Sequence, residues 1–126
     1  AFFSQGARQK SVRLLTQRIA DRKTDDPFIV IGDFNMKTTN SAMKYFLNID
    51  GETDYPRMTD AWDAIYPDQR GPRWDHITVC PDVKTLTIKL DERKASDHHA
   101  LIADLLISPN VQNIAAENDQ LRPARN

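Results

Sequence analysis

An α/β fold is what this sequence predicts, in the order helix, strand, helix, loop and three strands. Three observations carry that reading. Val12, Leu15 and Ile19 recur at helical spacing on an otherwise basic and polar segment. Phe28-Ile29-Val30-Ile31 is a short apolar run, mostly β-branched or aromatic, cut off by Gly32-Asp33. Lys84 to Leu90 alternates between polar and apolar, and Ala100 to Ile107 is a second apolar run near the far end.

The first helix is expected from Gln5 to Arg22, with Leu14 beside its apolar stripe and the stripe facing the core. Asp25-Asp26-Pro27 breaks the chain before the first strand, which reads as buried on both faces. Lys37-Thr38-Thr39-Asn40 then leads into a second helix capped by Asn40 or Ser41, with Met43, Phe46 and Leu47 facing inward. From Asp50 to Gly71 the chain is least regular, punctuated by Pro56, Pro67 and Gly71. Within it Thr59-Asp60-Ala61-Trp62-Asp63-Ala64-Ile65 suits a short capped helix with Trp62 and Ile65 packed inward. Arg73-Trp74-Asp75-His76-Ile77-Thr78-Val79 is a strand with Arg73 and Asp75 on one side and Trp74 and His76 on the other. In the next strand Leu86, Ile88 and Leu90 are expected to face the core.

Polar residues gather where two of these strands end or begin. Gly32 lets the chain turn as the first strand ends, and Asp33 and Asn35 then share one side of the continuing backbone. An acceptor and a donor thus point into one space, at the strand end where α/β folds place ligands. The plainer alternative is a turn in which both side chains satisfy backbone groups. Ser96-Asp97-His98 precedes the last strand and sets a carboxylate beside a side chain that titrates near neutral pH. Its plainer alternative is a polar turn, and His99 reads as a solvated neighbour. Asp75 is placed to orient a catalytic histidine, or else pairs with Arg73 at a sheet edge.

Gly32-Asp33-Phe34-Asn35, then Arg73-x-Asp75 opening a strand, then Ser96-Asp97-His98 before a last strand, resembles the endonuclease/exonuclease/phosphatase superfamily of metal-dependent phosphoesterases. Pancreatic deoxyribonuclease, abasic-site repair endonucleases, deadenylases, inositol polyphosphate 5-phosphatases and neutral sphingomyelinases belong to it. The likeness runs from about Ala7 to Ile107, and the ordered triple is far more specific than any one tetrapeptide. Two departures are Ala100, where a proline is usual, and His76, where a tyrosine or tryptophan often stands.

The resemblance implies a four-layer α/β sandwich, two mixed sheets face to face with helices outside. It also implies that residues 1–108 form only the C-terminal half of that domain, with 109–126 a flexible tail, since relatives are much longer than 126 residues. The family's early asparagine, its metal-binding glutamate and a further histidine have no counterpart here. By matching position, Asp33 orients or deprotonates the attacking water, and Asn35 hydrogen-bonds the phosphate or the nucleophile. Asp97 assists the metal or its waters, His98 contacts a non-bridging phosphate oxygen, and Asp75 fixes a catalytic imidazole. The implied cofactor is Mg²⁺, with Mn²⁺ as a substitute. The implied activity is hydrolysis of a phosphoester: nucleic acid, phospholipid, inositol phosphate or small phosphodiester. A non-catalytic domain binding a phosphorylated ligand or a partner is the alternative.

Composition bounds these readings without choosing among them. With 17 basic and 18 acidic residues the formal charge is −1, so nothing attracts nucleic acid globally. Hydrophobic residues make up 40% and charged ones 28%, as in an ordinary globular domain. The single Cys80 allows no intrachain disulfide, and its place at a strand end suits a small buried side chain. No apolar run approaches the roughly twenty residues of a membrane span. Half a sandwich leaves a sheet face and a strand edge uncovered, from which self-association is expected.

Overall fold

The computed structural model describes residues 5–69, 71, 74–93 and 96–108. Arg73 and the expected tail at 109–126 lie outside the described residues. Three helices and five strands follow one another: α1 (Gln5–Ala20), β1 (Ile29–Asp33), α2 (Ser41–Phe46), β2 (Thr59–Asp60), α3 (Ala61–Ile65), β3 (Asp75–Val79), β4 (Val83–Leu90) and β5 (Leu101–Ile107). They form two antiparallel sheets, one in the order β1-β3-β2 and the other β4-β5. No helix among them is long and apolar enough to cross a membrane.

α1 and α2 cover one face of the first sheet. Val12, Thr16 and Ile19 of α1 are buried, Leu15 is partly so, and Leu14 stays 54% exposed at the edge of the stripe. α2 starts where the sequence places it, because the Asn40 side chain accepts the Ala42 N–H at 2.9 Å and satisfies an otherwise orphaned donor. Met43, Phe46 and Leu47 then meet Val12, Ile19, Met36, Tyr55 and Met58 in one cluster. Tyr55 closes that cluster by donating its hydroxyl to the Phe46 carbonyl at 2.6 Å. Asn48, in the left-handed region at φ 57, uses both ends of its carboxamide, on the Tyr55 carbonyl and the Thr53 N–H.

The second cluster lies across the sheet. Ala61, Ile77, Val79, Cys80, Val83 and Ile88 are buried there, with Trp62 and Ile65 of α3 packed against them. Asp60 caps α3 by accepting the Asp63 N–H at 3.1 Å. Cys80 is buried, and its sulfur accepts the Phe28 N–H at 3.2 Å. β3 therefore divides the molecule: Ile77 and Val79 enter this cluster, whereas His76 and Thr78 face the opposite way, where Thr78 donates to the Val30 carbonyl.

Two expectations about burial fail. β1 is not buried on both faces, since Ile31 is 68% exposed. Among the described residues β1 pairs with β3 alone, and no layer lies over Ile31. In β4 the alternation does not hold its phase, because a bulge falls between Thr85 and Thr87. Val83, Thr85 and Ile88 are the buried positions, while Leu86 is 49% and Leu90 39% exposed. β3 also starts at Asp75, so the 42% exposed Trp74 precedes the strand.

Phe46 is fully buried and Leu14 half exposed. Phe46→Ala is expected to cost about 3–5 kcal/mol, and Leu14→Ala under about 0.5 kcal/mol. Chemical denaturation checks the pair; equal losses would contradict this placement of the core.

Candidate active site

Antiparallel pairing of β1 with β3 sets Asp33 directly opposite Asp75. Both strands contribute alternate side chains to that face, so two carboxylates look into the same cleft, of about 380 Å³, also bordered by Ile31, Ile77, His98 and Leu101. Like charges so placed repel.

His98 Nδ1 lies 2.5 Å from Asp75 Oδ2. The hydrogen bond and charge of Asp75, joined by the charges of Asp33 and Asp97, hold the imidazole pKa above its ordinary 6.5 against the opposing effect of desolvation. The loop bearing His98 is shaped locally. Asp91 N–H donates to the Ala100 carbonyl at 2.8 Å and closes the loop's base, while Ser96 Oγ accepts the His98 N–H and donates to the His98 carbonyl. Arg93 grips Asp91 at 2.9 Å, and its hydrogen bonds pull that carboxyl below its usual range.

The other wall is the turn after β1. Phe34 N–H donates to the Trp74 carbonyl at 2.8 Å, and the ladder ends there. Asn35 follows at φ 52, a left-handed conformation that asparagine tolerates better than most residues. Its N–H donates to Asp33 Oδ1 at 2.9 Å. The turn expected for Asp33-Phe34-Asn35 is present, one Asp33 oxygen shaping the backbone while the residue borders the cleft; Asn35 does not line that cleft but a neighbouring cavity beside α1.

The structure gathers Asp33, Asp75 and His98, each offering one ligand atom, all within 4.8 Å of one another. Asp97 is exposed and lies outside that trio, near enough for its charge to act on His98. Oxygen-rich donors of this kind fit a hard divalent cation, which needs one or two carboxylates and keeps waters. His99 is exposed, its Nδ1 2.8 Å from the Asp91 carbonyl.

His76 behaves unlike either neighbour. It is buried beneath the site, its Nδ1 2.8 Å from Asp60 Oδ2 and its Nε2 2.6 Å from the Met36 carbonyl. Burial alone would lower its pKa, but the Asp60 and Met36 hydrogen bonds and the charges of Asp60 and Asp63 raise it. From the sequence, His76 stands where relatives often have a tyrosine or tryptophan, with packing or a place in the pocket both open to it, and Asp60 has no role beyond the helix start. The available signal is a histidine on the strand face opposite Asp75, which must find polar partners if buried.

The sequence model of the Endonuclease/Exonuclease/phosphatase family matches residues 5–98. No curated protein matches the chain. Among solved structures, an endonuclease/exonuclease/phosphatase from Bacteroides vulgatus is similar at 22% identity and TM-score 0.62, over 83% of this chain and 46% of that one. A Bacteroides thetaiotaomicron mannosyl-6-phosphatase is similar at 20% identity and TM-score 0.58, over 83% of this chain and 48% of that one. The chain spans about half the length of these structures. The likeness shows an α/β sandwich, present in part.

The Asp75–His98 contact has a pH signature. A histidine whose folded pKa lies above its unfolded 6.5 contributes stability fully below pH 6.5, and loses it as pH rises through the folded pKa. NMR titration is expected to place the His98 midpoint above 6.5 in wild type and lower in Asp75→Asn. An unmoved midpoint in that variant would contradict the pairing.

Proposed function

The chain belongs to the endonuclease/exonuclease/phosphatase family, and on that footing we propose that it is part of a divalent-metal-dependent phosphoesterase, with Asp33, Asn35, Asp75 and His98 as its catalytic residues. The observation that carries this is the meeting of Asp33, Asp75 and His98 at one cleft, from three separate segments of chain.

In this reading a water oxygen attacks phosphorus, and the bond to the leaving oxygen breaks in line with it. Asp33 orients that water and accepts its proton. The Asn35 carboxamide hydrogen-bonds the phosphate or the attacking water. His98, held through Nδ1 by Asp75, keeps Nε2–H to donate to a non-bridging oxygen. A fixed donor aimed where charge accumulates is worth more than a mobile one, since no reorganisation is required at the moment of reaction. Mg²⁺ or Mn²⁺ would be held with help from Asp97, and when bound would supply Lewis-acid neutralisation of phosphate charge.

The substrate is a phosphoester in which the phosphate is the common element: nucleic acid, phospholipid, inositol phosphate or a small phosphodiester. Because one structural neighbour is a mannosyl-6-phosphatase, sugar phosphates belong in the same panel. A second reading is phosphate-ligand or partner binding at the same cleft without turnover. Calorimetry finding Mg²⁺-dependent binding of a phosphate ester without hydrolysis would select it.

Hydrolysis of bis(p-nitrophenyl) phosphate with Mg²⁺ is the first test. Loss of turnover by roughly a hundredfold or more in Asp33→Ala is expected, with loss also in EDTA. Equal rates in wild type and Asp33→Ala would sink the assignment.

Exposed Leu86, Ile102 and Leu106 make up an apolar stretch on the outward side of β4 and β5, which supports self-association. Light scattering is expected to find species larger than one chain, and Leu106→Lys to reduce them. A monodisperse single chain would refute this.

A further inference from the structure

We infer that His76 is a positioning residue for the catalytic turn: through Nε2 it holds the Met36 carbonyl, and so fixes the Asp33–Asn35 turn against the strand that carries Asp75. The inference rests on the catalytic assignment of Asp33 and Asn35 made above.

β3 presents consecutive side chains to opposite faces, Asp75 to His98 in the cleft and His76 to Asp60 and Met36 beneath. Backbone pairing fixes β1 to β3 only as far as Phe34, whose N–H reaches the Trp74 carbonyl. Past that point the turn adopts a left-handed Asn35, at φ 52, which few residues accept and which relaxes unless held. One restraint lies on its near side, the Asn35 N–H to Asp33 Oδ1. The restraint on its far side is Met36, whose carbonyl lies 2.6 Å from His76 Nε2. A carbonyl only accepts, so Nε2 carries the proton and donates it.

The ring is itself immobilised. Its Nδ1 meets Asp60 Oδ2 at 2.8 Å, and the other oxygen of Asp60 caps α3 through the Asp63 N–H. Phe34 packs beside it, ring centroids 5.8 Å apart. His76 and Asp60 are 3% and 4% exposed, so water is poorly placed to substitute for either bond. One buried imidazole therefore joins the β1–α2 turn, β3 and the start of α3.

Two near-isosteric replacements separate positioning from mere stability. Gln places its amide nitrogen near the Nε2 position and keeps a donor for Met36. Asn places its amide nitrogen near Nδ1 and keeps only the Asp60 partner. We expect amide exchange at Asn35, read by NMR on the whole chain, to accelerate roughly tenfold or more in His76→Asn and to stay within about threefold of wild type in His76→Gln. Amides of the β1–β3 ladder should be little changed in both. Equal acceleration in the two variants, or none in His76→Asn, would overturn the inference. Where His76→Asn does not fold, wild type decides: a slowly exchanging Nε2–H resonance close to Met36 is expected, and an Nε2 without a proton at neutral pH overturns it. Exchange needs no turnover, so an inactive chain counts against the phosphoesterase reading and leaves this result intact. With an active chain, His76→Asn should lower kcat and leave KM nearly unchanged.

Discussion

Two carboxylates directly opposite each other on neighbouring strands are the constraint on which the site depends. Asp33 and Asp75 occupy partner positions of the β1–β3 ladder, where cross-strand side chains approach within about 5 Å and like charges destabilise. Such a register survives because hydrophobic burial fixes it. A slip of one residue would turn Ile77 and Val79 out of their cluster and His76 and Thr78 into it. The core thus holds the carboxylates together against their repulsion, and His98 with the Asn35 N–H offsets part of it. What repulsion remains is the physical ground on which a divalent cation is proposed here.

Much of this arrangement is legible in the amino-acid sequence, for reasons specific to each element. The Asn40 cap with Met43, Phe46 and Leu47 depends on spacing within a few residues, and local spacing is what a sequence displays directly. The apolar Ile77 and Val79 mark β3 equally well. Asp33, Asp75 and His98 come from three distant segments, and their meeting is expected from the ordered motifs and not from periodicity.

The failures share a different cause. Ile31 is exposed because burial of a strand depends on what lies over it, which the strand's own residues do not encode. Leu86 is misplaced by one inserted residue at the Thr85–Thr87 bulge, which shifts the inward phase and has no glycine or proline to announce it, whereas Leu90 keeps the phase of buried Ile88 and is exposed at the strand's last position. The bond between His76 and Asp60 joins β3 to the irregular stretch after Asp50, so no spacing rule connects them. Asp60 already has a sufficient explanation as a helix cap, and nothing in the chain's spacing asks for a partner to its second oxygen.

The molecule uses the same chemical pair twice, on the two faces of one strand, with opposite consequences. Asp75–His98 is open to water, the side chains 29% and 42% exposed. Exposed ion pairs contribute little to stability, and what this one provides is orientation of a ring that remains accessible to a ligand. Asp60–His76 is closed off at 4% and 3%. Removing either partner there leaves a buried polar group unsatisfied, so the pair resists change, and what it fixes is backbone. A turn that must hold a left-handed Asn35 beside a charged cleft cannot depend on the weak pair alone. The buried pair beneath makes the exposed pair's geometry reproducible, and because Asp75 and His76 are adjacent residues, each holds its partner through the same short stretch of β3.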